Sequence, residues 1–237
     1  AEKFLDIVCP TAGITPRTIV LVVTVRALKY NGNDSLESGI CNIDAHLNHL
    51  NNYNVPIVVC LNKFNDDSLD DINYIKNYVN NLGYPLLVSD AYSKGGEGAL
   101  ELAKAVIKSC EDSNNFKPIV DENLDIKDKI MRLNKLVYNS NHVEYSEDAL
   151  EKLKLIDKLG LSYLPICVAK TQYSISDDPK LLGYPKDNIL HVRDLIINSG
   201  AGFITVLCGK IYTMPGLPKK PNYENIDLVN GEIKGLF

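Results

Sequence analysis

From Thr18 onward the chain alternates runs of β-branched residues with amphipathic helical patterns, and this alternation constrains the fold more than any other feature. TIVLVVTV, residues 18–25, is a run dominated by β-branched residues, of the kind expected for a strand covered on both faces. Leu36, Ile40, Ile43, Leu47 and Leu50 then recur at spacings of four, three, four and three, which places them on one helical stripe. PIVVCLN is the second strand. Leu69, Ile72, Ile75, Val79 and Leu82 mark the second helix, stopped by Gly83. PLLVSD is the third strand, followed by a helix that turns Ala99, Leu102, Ala103, Val106 and Cys110 inward. Three such repeats predict right-handed crossovers and a parallel sheet.

After Ser109 the character changes. EDSNNFKP reads as a polar linker, and two helical patterns follow, with Ile126, Ile130, Leu133 and Val137 on one and Ala149, Leu153, Ile156 and Leu159 on the other. From Ile166 the strand-like runs ICVAK, ILHVRDLIIN and FITVLCG dominate. The predicted fold is therefore α/β: a parallel sheet with flanking helices, like part of a P-loop NTPase, then a helical linker pair and a smaller mixed α+β C-terminal domain. The corresponding stretches are 1–17, 18–115, 116–165 and 166–237. The opening AEKFLDIV lacks methionine, and Phe4, Leu5 and Val8 read as one face of a helix already under way, so the first stretch is expected to be the end of a truncated domain.

Charge and cysteine usage narrow the function classes. A net charge of −5 and a pI near 5.4 give no basic surface for nucleic acid or anionic membrane. The apolar run of residues 19–23 is far too short to span a bilayer. Six scattered cysteines without a C-x-x-C pair indicate neither a zinc site nor a disulfide framework. A reducing, cytoplasmic setting without a signal peptide is the expectation.

Ligands of an open parallel sheet bind beyond the carboxyl ends of its strands. The loops predicted there are RALKYNG, NKFNDD and SDAYSKGGEG, which gather Arg26, Lys29, Lys63, Phe64, Tyr92 and Lys94 into one neighbourhood. Aromatic rings among cations suit a flat heterocycle attached to an anion. The same residues also admit a plain structural reading, with Arg26 and Lys29 paired to surface acids and Phe64 and Tyr92 packed locally. Gly95, Gly96, Glu97 and Gly98 precede an amphipathic helix, an arrangement that either presents amides to an anion or makes a tight turn. No G-x-x-x-x-G-K-[ST] occurs, and NKF departs from the guanine-reading N-K-x-D at Asn65. His46 and His49, three apart, read as surface residues opposite the apolar stripe, and His142 and His191 as isolated. NNYN, NDD, SGAGF and TMPGLP read as turns. In AKTQYSISDDPKLLGYP, the residues Thr171, Gln172, Tyr173 and Ser174 either form a polar loop or suit a nucleobase edge.

Together VVTVRALKYNG, VPIVVCLNKFNDD, SDAYSKGGEGALELA, LPICVAKTQYSISDDP, GAGF, MPGLP and the terminal GLF resemble, in family order, the C-terminal portion of formate–tetrahydrofolate ligase. The resemblance implies an ATP-dependent ligase that makes 10-formyltetrahydrofolate through formyl phosphate, with formate, tetrahydrofolate and ATP (as its magnesium complex) as substrates and no resident metal or tightly held cofactor. It implies Arg26 and Lys29 at the formyl phosphate, Phe64 and Tyr92 around the pterin, and Gly95, Gly96, Glu97 and Gly98 beside it. Thr171, Gln172, Tyr173 and Ser174 would lie near the nucleotide. Tyr92 stands where the family has tryptophan, and NGN where it commonly has HGG and an insertion. The family's phosphate loop belongs to an N-terminal half not represented here, which becomes the expected partner; the complete enzyme is expected to be a homo-oligomer. The isolated chain is expected not to turn over. A non-catalytic half protein, or an unrelated NTPase-like binding module, remains the alternative.

Overall fold

The computed structural model describes residues 1–120, 122–209, 211 and 219–235. The turn expected at 213–218 and the last two residues of GLF lie outside them. The chain opens with a π-helical turn, Lys3–Val8, running into α1 (Cys9–Ala12). Within it Leu5, Asp6 and Ile7 face inward, whereas Phe4 and Val8 are exposed, so the apolar stripe read from the sequence is shifted.

The parallel sheet consists of β1 (Ile19–Val23), β2 (Ile57–Asn62) and β3 (Leu86–Ser89) in the order β1-β2-β3. Between β1 and β2 lie α2 (Val25–Asn31), α3 (Leu36–Gly39) and α4 (Cys41–Asn51). All five apolar positions expected on the first helical stripe are buried, although α3 and α4 divide them. The segment RALKYN is helix rather than loop, because Thr24 is extended and its hydroxyl accepts the Ala27 N–H at 3.0 Å, capping α2 at the strand end. α5 (Leu69–Asn81) buries Ile72, Ile75 and Val79 but leaves its terminal Leu69 and Leu82 exposed.

After β3 the chain makes a short helix, α6 (Ala91–Lys94), then a 3₁₀ turn, Gly95–Ala99, and only then α7 (Leu100–Glu111). The glycines therefore lead directly into the amphipathic helix, as a 3₁₀ turn rather than an open loop. α7 packs on β2 and β3. Its Leu102, Val106 and Cys110 are half-buried, Ala103 is exposed, and Leu100 and Ile107 stand in solvent. β2 is buried along almost its whole length, as a central parallel strand should be. β1 is not: Val20 and Val22 are 38% and 58% exposed. Its β-branched run predicts cover on both faces, and the structure provides it on one.

The second half is built on a mixed sheet of order β4-β6-β7-β5, formed by β4 (His142–Tyr145), β5 (Ile166–Ala169), β6 (Ile189–Asn198) and β7 (Phe203–Cys208). β6 and β7 run antiparallel, while β4 and β5 join the edges in parallel. α8 (Ile126–Leu136) and α9 (Glu147–Lys158) carry the expected helical patterns, their inner faces buried except at Leu159. β4 lies between them, in a stretch the sequence reads as helices alone. A hairpin of β8 (Asp227–Val229) and β9 (Glu232–Lys234) follows.

Buried polar contacts join the parts. Asp6 accepts the Tyr53 hydroxyl at 2.7 Å and the Ile119 amide at 2.7 Å, although burial pushes its carboxyl above the usual range. Asn42 donates across the molecule to the Gly183 carbonyl at 2.8 Å. Thr18 and Ser109 share a hydroxyl contact of 2.7 Å that ties the start of β1 to the end of α7. All six cysteines are free thiols; Cys9, Cys60 and Cys208 are buried, in the first helix, in β2 and in β7. Among the described residues no helix is long and apolar enough to cross a membrane.

Candidate functional site

The carboxyl ends of β1, β2 and β3 open onto one edge, and side-chain contacts bind their three junctions together. Arg26 and Lys29, three apart on α2, fall on one helical face. Arg26 reaches Asp66 in the second junction at 2.7 Å, and Lys29 reaches Asp71 in the first turn of α5 at 2.8 Å. The Arg26 guanidinium also lies 4.0 Å from the centre of the Phe64 ring. The second junction is held by its own acids and hydroxyls. Phe64 N–H donates to the Asp67 carboxylate at 2.8 Å, and Ser68 caps α5.

The third junction closes on the second. Ser93 Oγ donates to Asn65 Oδ1 at 2.9 Å, which places the neighbours of Phe64 and Tyr92 in contact. Asp90, at the end of β3, lies 3.2 Å from Lys94 and 3.6 Å from Lys63. The Asp90 amide donates to the Gly98 carbonyl at 3.0 Å. A Cβ on Gly98 would meet the Asp90 carbonyl oxygen at 2.3 Å, so this close approach requires glycine. Gly95 has φ +59°, whereas a Cβ on Gly96 would enter open space. The glycine turn thus has two positions fixed by the backbone and one free.

Electrostatically the edge is balanced rather than cationic. The hydrogen bond from Lys29 holds the Asp71 carboxyl below its ordinary value, and Asp71 in turn raises the Lys29 ammonium. Arg26 lowers Asp66, and Lys94 lowers Asp90. Phe64 is half-buried beneath Arg26, while Tyr92 is 89% exposed. Arg26, Lys29 and Phe64 are therefore gathered by the junctions of β1 and β2, while Tyr92 stands exposed on the adjoining junction. Both cations carry the counter-charges of the plainer reading. The sequence reading passes over Asp66 and Asp71 as turn and surface acids. Their signal is positional, since each belongs to the loop or first turn that faces α2.

The residues Thr171, Gln172, Tyr173 and Ser174 follow β5 and do not join that edge. They lie on a neighbouring cleft of about 630 Å³ that runs along β1 and α4. Thr171 and Ser174 are buried, Gln172 and Tyr173 exposed. The two regions meet at Tyr173, whose ring lies 6.5 Å from that of Tyr30, the residue after Lys29. Lys170 folds back to donate to the Thr171 carbonyl at 3.3 Å and to the Ser174 carbonyl, and burial lowers its ammonium.

The histidines depart from expectation. His46 is exposed, but His49 is only 7% exposed and faces the cleft. Its Nε2 has no hydrogen-bond partner and lies 3.7 Å from Glu2. Burial pushes its ring down to about 4, so it is neutral near pH 7. His191 is not isolated either: its Nδ1 lies 2.9 Å from Asp177. Among the described residues no group of three or more His, Cys, Asp or Glu side chains is placed to hold a metal ion.

With this geometry in place, comparison with known proteins is specific. The family model for formate–tetrahydrofolate ligase matches residues 1–237. A formate–tetrahydrofolate ligase from Petrotoga mobilis is 46% identical over 247 residues, covering 99% of this chain and 45% of its own. One from Latilactobacillus sakei is 43% identical over 249 residues, covering 100% of this chain and 45% of its own. The chain thus spans a little under half the length of these relatives.

Proposed function

The chain belongs to the formate–tetrahydrofolate ligase family, and from that premise we propose that it forms the folate-side wall of an ATP-dependent ligase, corresponding to the C-terminal part of such an enzyme. The supporting observation is the joining of three β–α junctions into one edge, with Phe64 and Tyr92 on adjacent junctions linked by the Ser93–Asn65 hydrogen bond. In the proposed reaction a formate oxygen attacks the γ-phosphorus of ATP and ADP departs, leaving formyl phosphate. The N10 amine of tetrahydrofolate then attacks the formyl carbon; phosphate leaves and the amine gives up its proton.

Arg26 and Lys29 would exchange their carboxylate partners for the acyl phosphate. Both pairs are partly exposed, and exposed ion pairs are weak enough to yield to a dianion. The pterin would pack between Phe64 and Tyr92, against the turn of Gly95, Gly96, Glu97 and Gly98. Tyrosine at 92 gives less stacking area than the family's tryptophan. Thr171, Gln172, Tyr173 and Ser174 would face the nucleotide. The P-loop half of the sheet and its phosphate-binding lysine would come from outside this span, so the chain alone does not turn over.

Titration of a non-reactive tetrahydrofolate analogue into the chain tests this reading. Phe64→Ala and Tyr92→Ala should each weaken binding about tenfold, in keeping with the loss of roughly 1.4 kcal/mol of stacking. Unchanged affinity in both variants, or formate-dependent ATP hydrolysis by the isolated chain, would overturn it.

A further inference from the structure

A second cleft, of about 780 Å³, is built from residues that belong neither to the edge of the parallel sheet nor to the segment 171–174. Its walls come from the opening helix, the stretch 117–122 that joins the two sheets, α8, and the residues that lead into β5. Its volume is that of a small-molecule site.

Arg132 of α8 is the cation that defines it. Its Nε donates to the Ile119 carbonyl, and among the described residues its guanidinium makes no ion pair and no other hydrogen bond. With Nε occupied, the two terminal nitrogens remain as an end-on pair, whose spacing matches the two oxygens of one carboxylate. Two acids also line the cleft. Asp6 is already occupied by the Tyr53 hydroxyl and the Ile119 and Val120 amides. Glu122 is exposed, as is Lys117, so water and salt screen both. The wall between α8 and the loop before β5 is held by Lys129, which is fully buried and donates to the Ser162 carbonyl at 2.7 Å and the Leu164 carbonyl at 3.0 Å.

The remaining walls are apolar and stiff. Pro10, Pro118 and Pro165 reach the cleft from three separate segments, each with a ring that fixes its own backbone torsion. Tyr163, 62% exposed, adds a flat aromatic face. An inorganic anion would use the arginine and leave these surfaces bare. A flat organic acid uses both.

We propose that this cleft binds a small aryl carboxylate, its carboxylate on the terminal nitrogens of Arg132 and its ring among Pro10, Pro118, Pro165 and Tyr163. Such a ligand braces the joint between the two sheets. Asp6 takes the Ile119 amide at 2.7 Å and the Val120 amide at 3.4 Å from the opening helix, while Arg132 takes the Ile119 carbonyl from α8. A molecule seated against both elements slows the opening of this stretch. The site is independent of the folate-side edge.

The test titrates benzoate into the full chain while backbone amides are followed by nuclear magnetic resonance, with inorganic phosphate in a parallel titration. The expected result is saturable binding with a Kd below about 1 mM, read as shifts at the amides of Ile119, Val120, Tyr163 and Gly202. Hydrogen exchange at the Ile119 amide should slow at least about threefold at saturating benzoate. Arg132→Gln should weaken binding at least about tenfold. Arg132→Lys keeps the charge but loses the fork and should weaken it about threefold, so the proposal stays testable if thermal unfolding shows the glutamine variant to be misfolded. Three outcomes would overturn it: no saturable shift at those amides, benzoate affinity unchanged in the folded variants, or phosphate binding as tightly as benzoate.

Discussion

The guanidinium of Arg26 sits 4.0 Å from the centre of the Phe64 ring while its Nη2 holds Asp66 at 2.7 Å. One residue thus covers an aromatic face and neutralises a carboxylate. A planar ligand stacking on that face must displace the arginine, and an anion binding the arginine must first compete with the aspartate. Folate and acyl phosphate would therefore act on the same side chain.

Removing the competing acids should strengthen anion binding with little effect on the fold. Asp66→Asn and Asp71→Asn are each expected to leave stability nearly unchanged, as is usual for exposed ion pairs. Under the proposed function, affinity for inorganic phosphate at low salt should rise roughly threefold to tenfold, since Arg26 or Lys29 is then unpaired. Isothermal titration at two ionic strengths would measure both the gain and its screening.

The glycine turn offers a graded test within four residues. Gly98→Ala places a Cβ against the Asp90 carbonyl and should destabilise the chain by about 2 kcal/mol or more. Gly95→Ala must hold φ +59° with ψ −145°, a region essentially confined to glycine, and should cost about 1–3 kcal/mol. Gly96→Ala meets nothing within 4 Å and should be nearly neutral. Urea unfolding of the three variants gives the order directly, and a neutral Gly98→Ala would refute the close approach.

His49 makes stability depend on pH with a definite sign. Its folded ring titrates near 4 and its unfolded ring near 6.5, so between those values the unfolded chain binds the extra proton. The contribution is complete above about pH 6.5 and is lost as pH falls toward 4. It amounts to a few kcal/mol at most, on the order of 3 kcal/mol, and the nearby Glu2 carboxylate opposes it. His49→Leu should flatten the stability profile in this window, as followed by denaturant unfolding at several pH values.

Tyr53 and Asp6 form a buried hydrogen bond that anchors the opening helix to the chain near Ile119. Tyr53→Phe removes the donor but keeps the ring, leaving Asp6 with backbone amides alone. A loss of about 1.5–3 kcal/mol is expected, the usual value for a buried bond to a charged group. Thermal or denaturant unfolding would measure it, and exchange at the Ile119 amide should accelerate.

Much of the architecture is legible because it rests on local patterns. The three parallel strands and the long β6 announce themselves as β-branched runs, and the buried faces of α4, α5, α8 and α9 as helical periodicity. α2 is hidden because its capping Thr24 reads as part of the preceding strand. β4 is hidden because HVEY carries too few apolar residues to signal a strand. The burial of His49, whose ring lies 5.7 Å from that of Tyr53 and 3.7 Å from Glu2 at the start of the chain, is a tertiary outcome that no local pattern reports. In the candidate site, strand alternation suffices to bring the junctions bearing Arg26, Lys29, Phe64 and Tyr92 to one edge. It does not reveal their occupied state, because Asp66 and Asp71 become partners only after the junctions fold together.

The three sequestered thiols give the molecule its own set of clocks. Cys9, Cys60 and Cys208 sit in different structural layers, and their sulfurs are shielded enough to stay protonated and unreactive in the closed state. Each can be modified by a thiol reagent only when its own layer opens. Labelling rates at these positions would therefore resolve which layer loosens first.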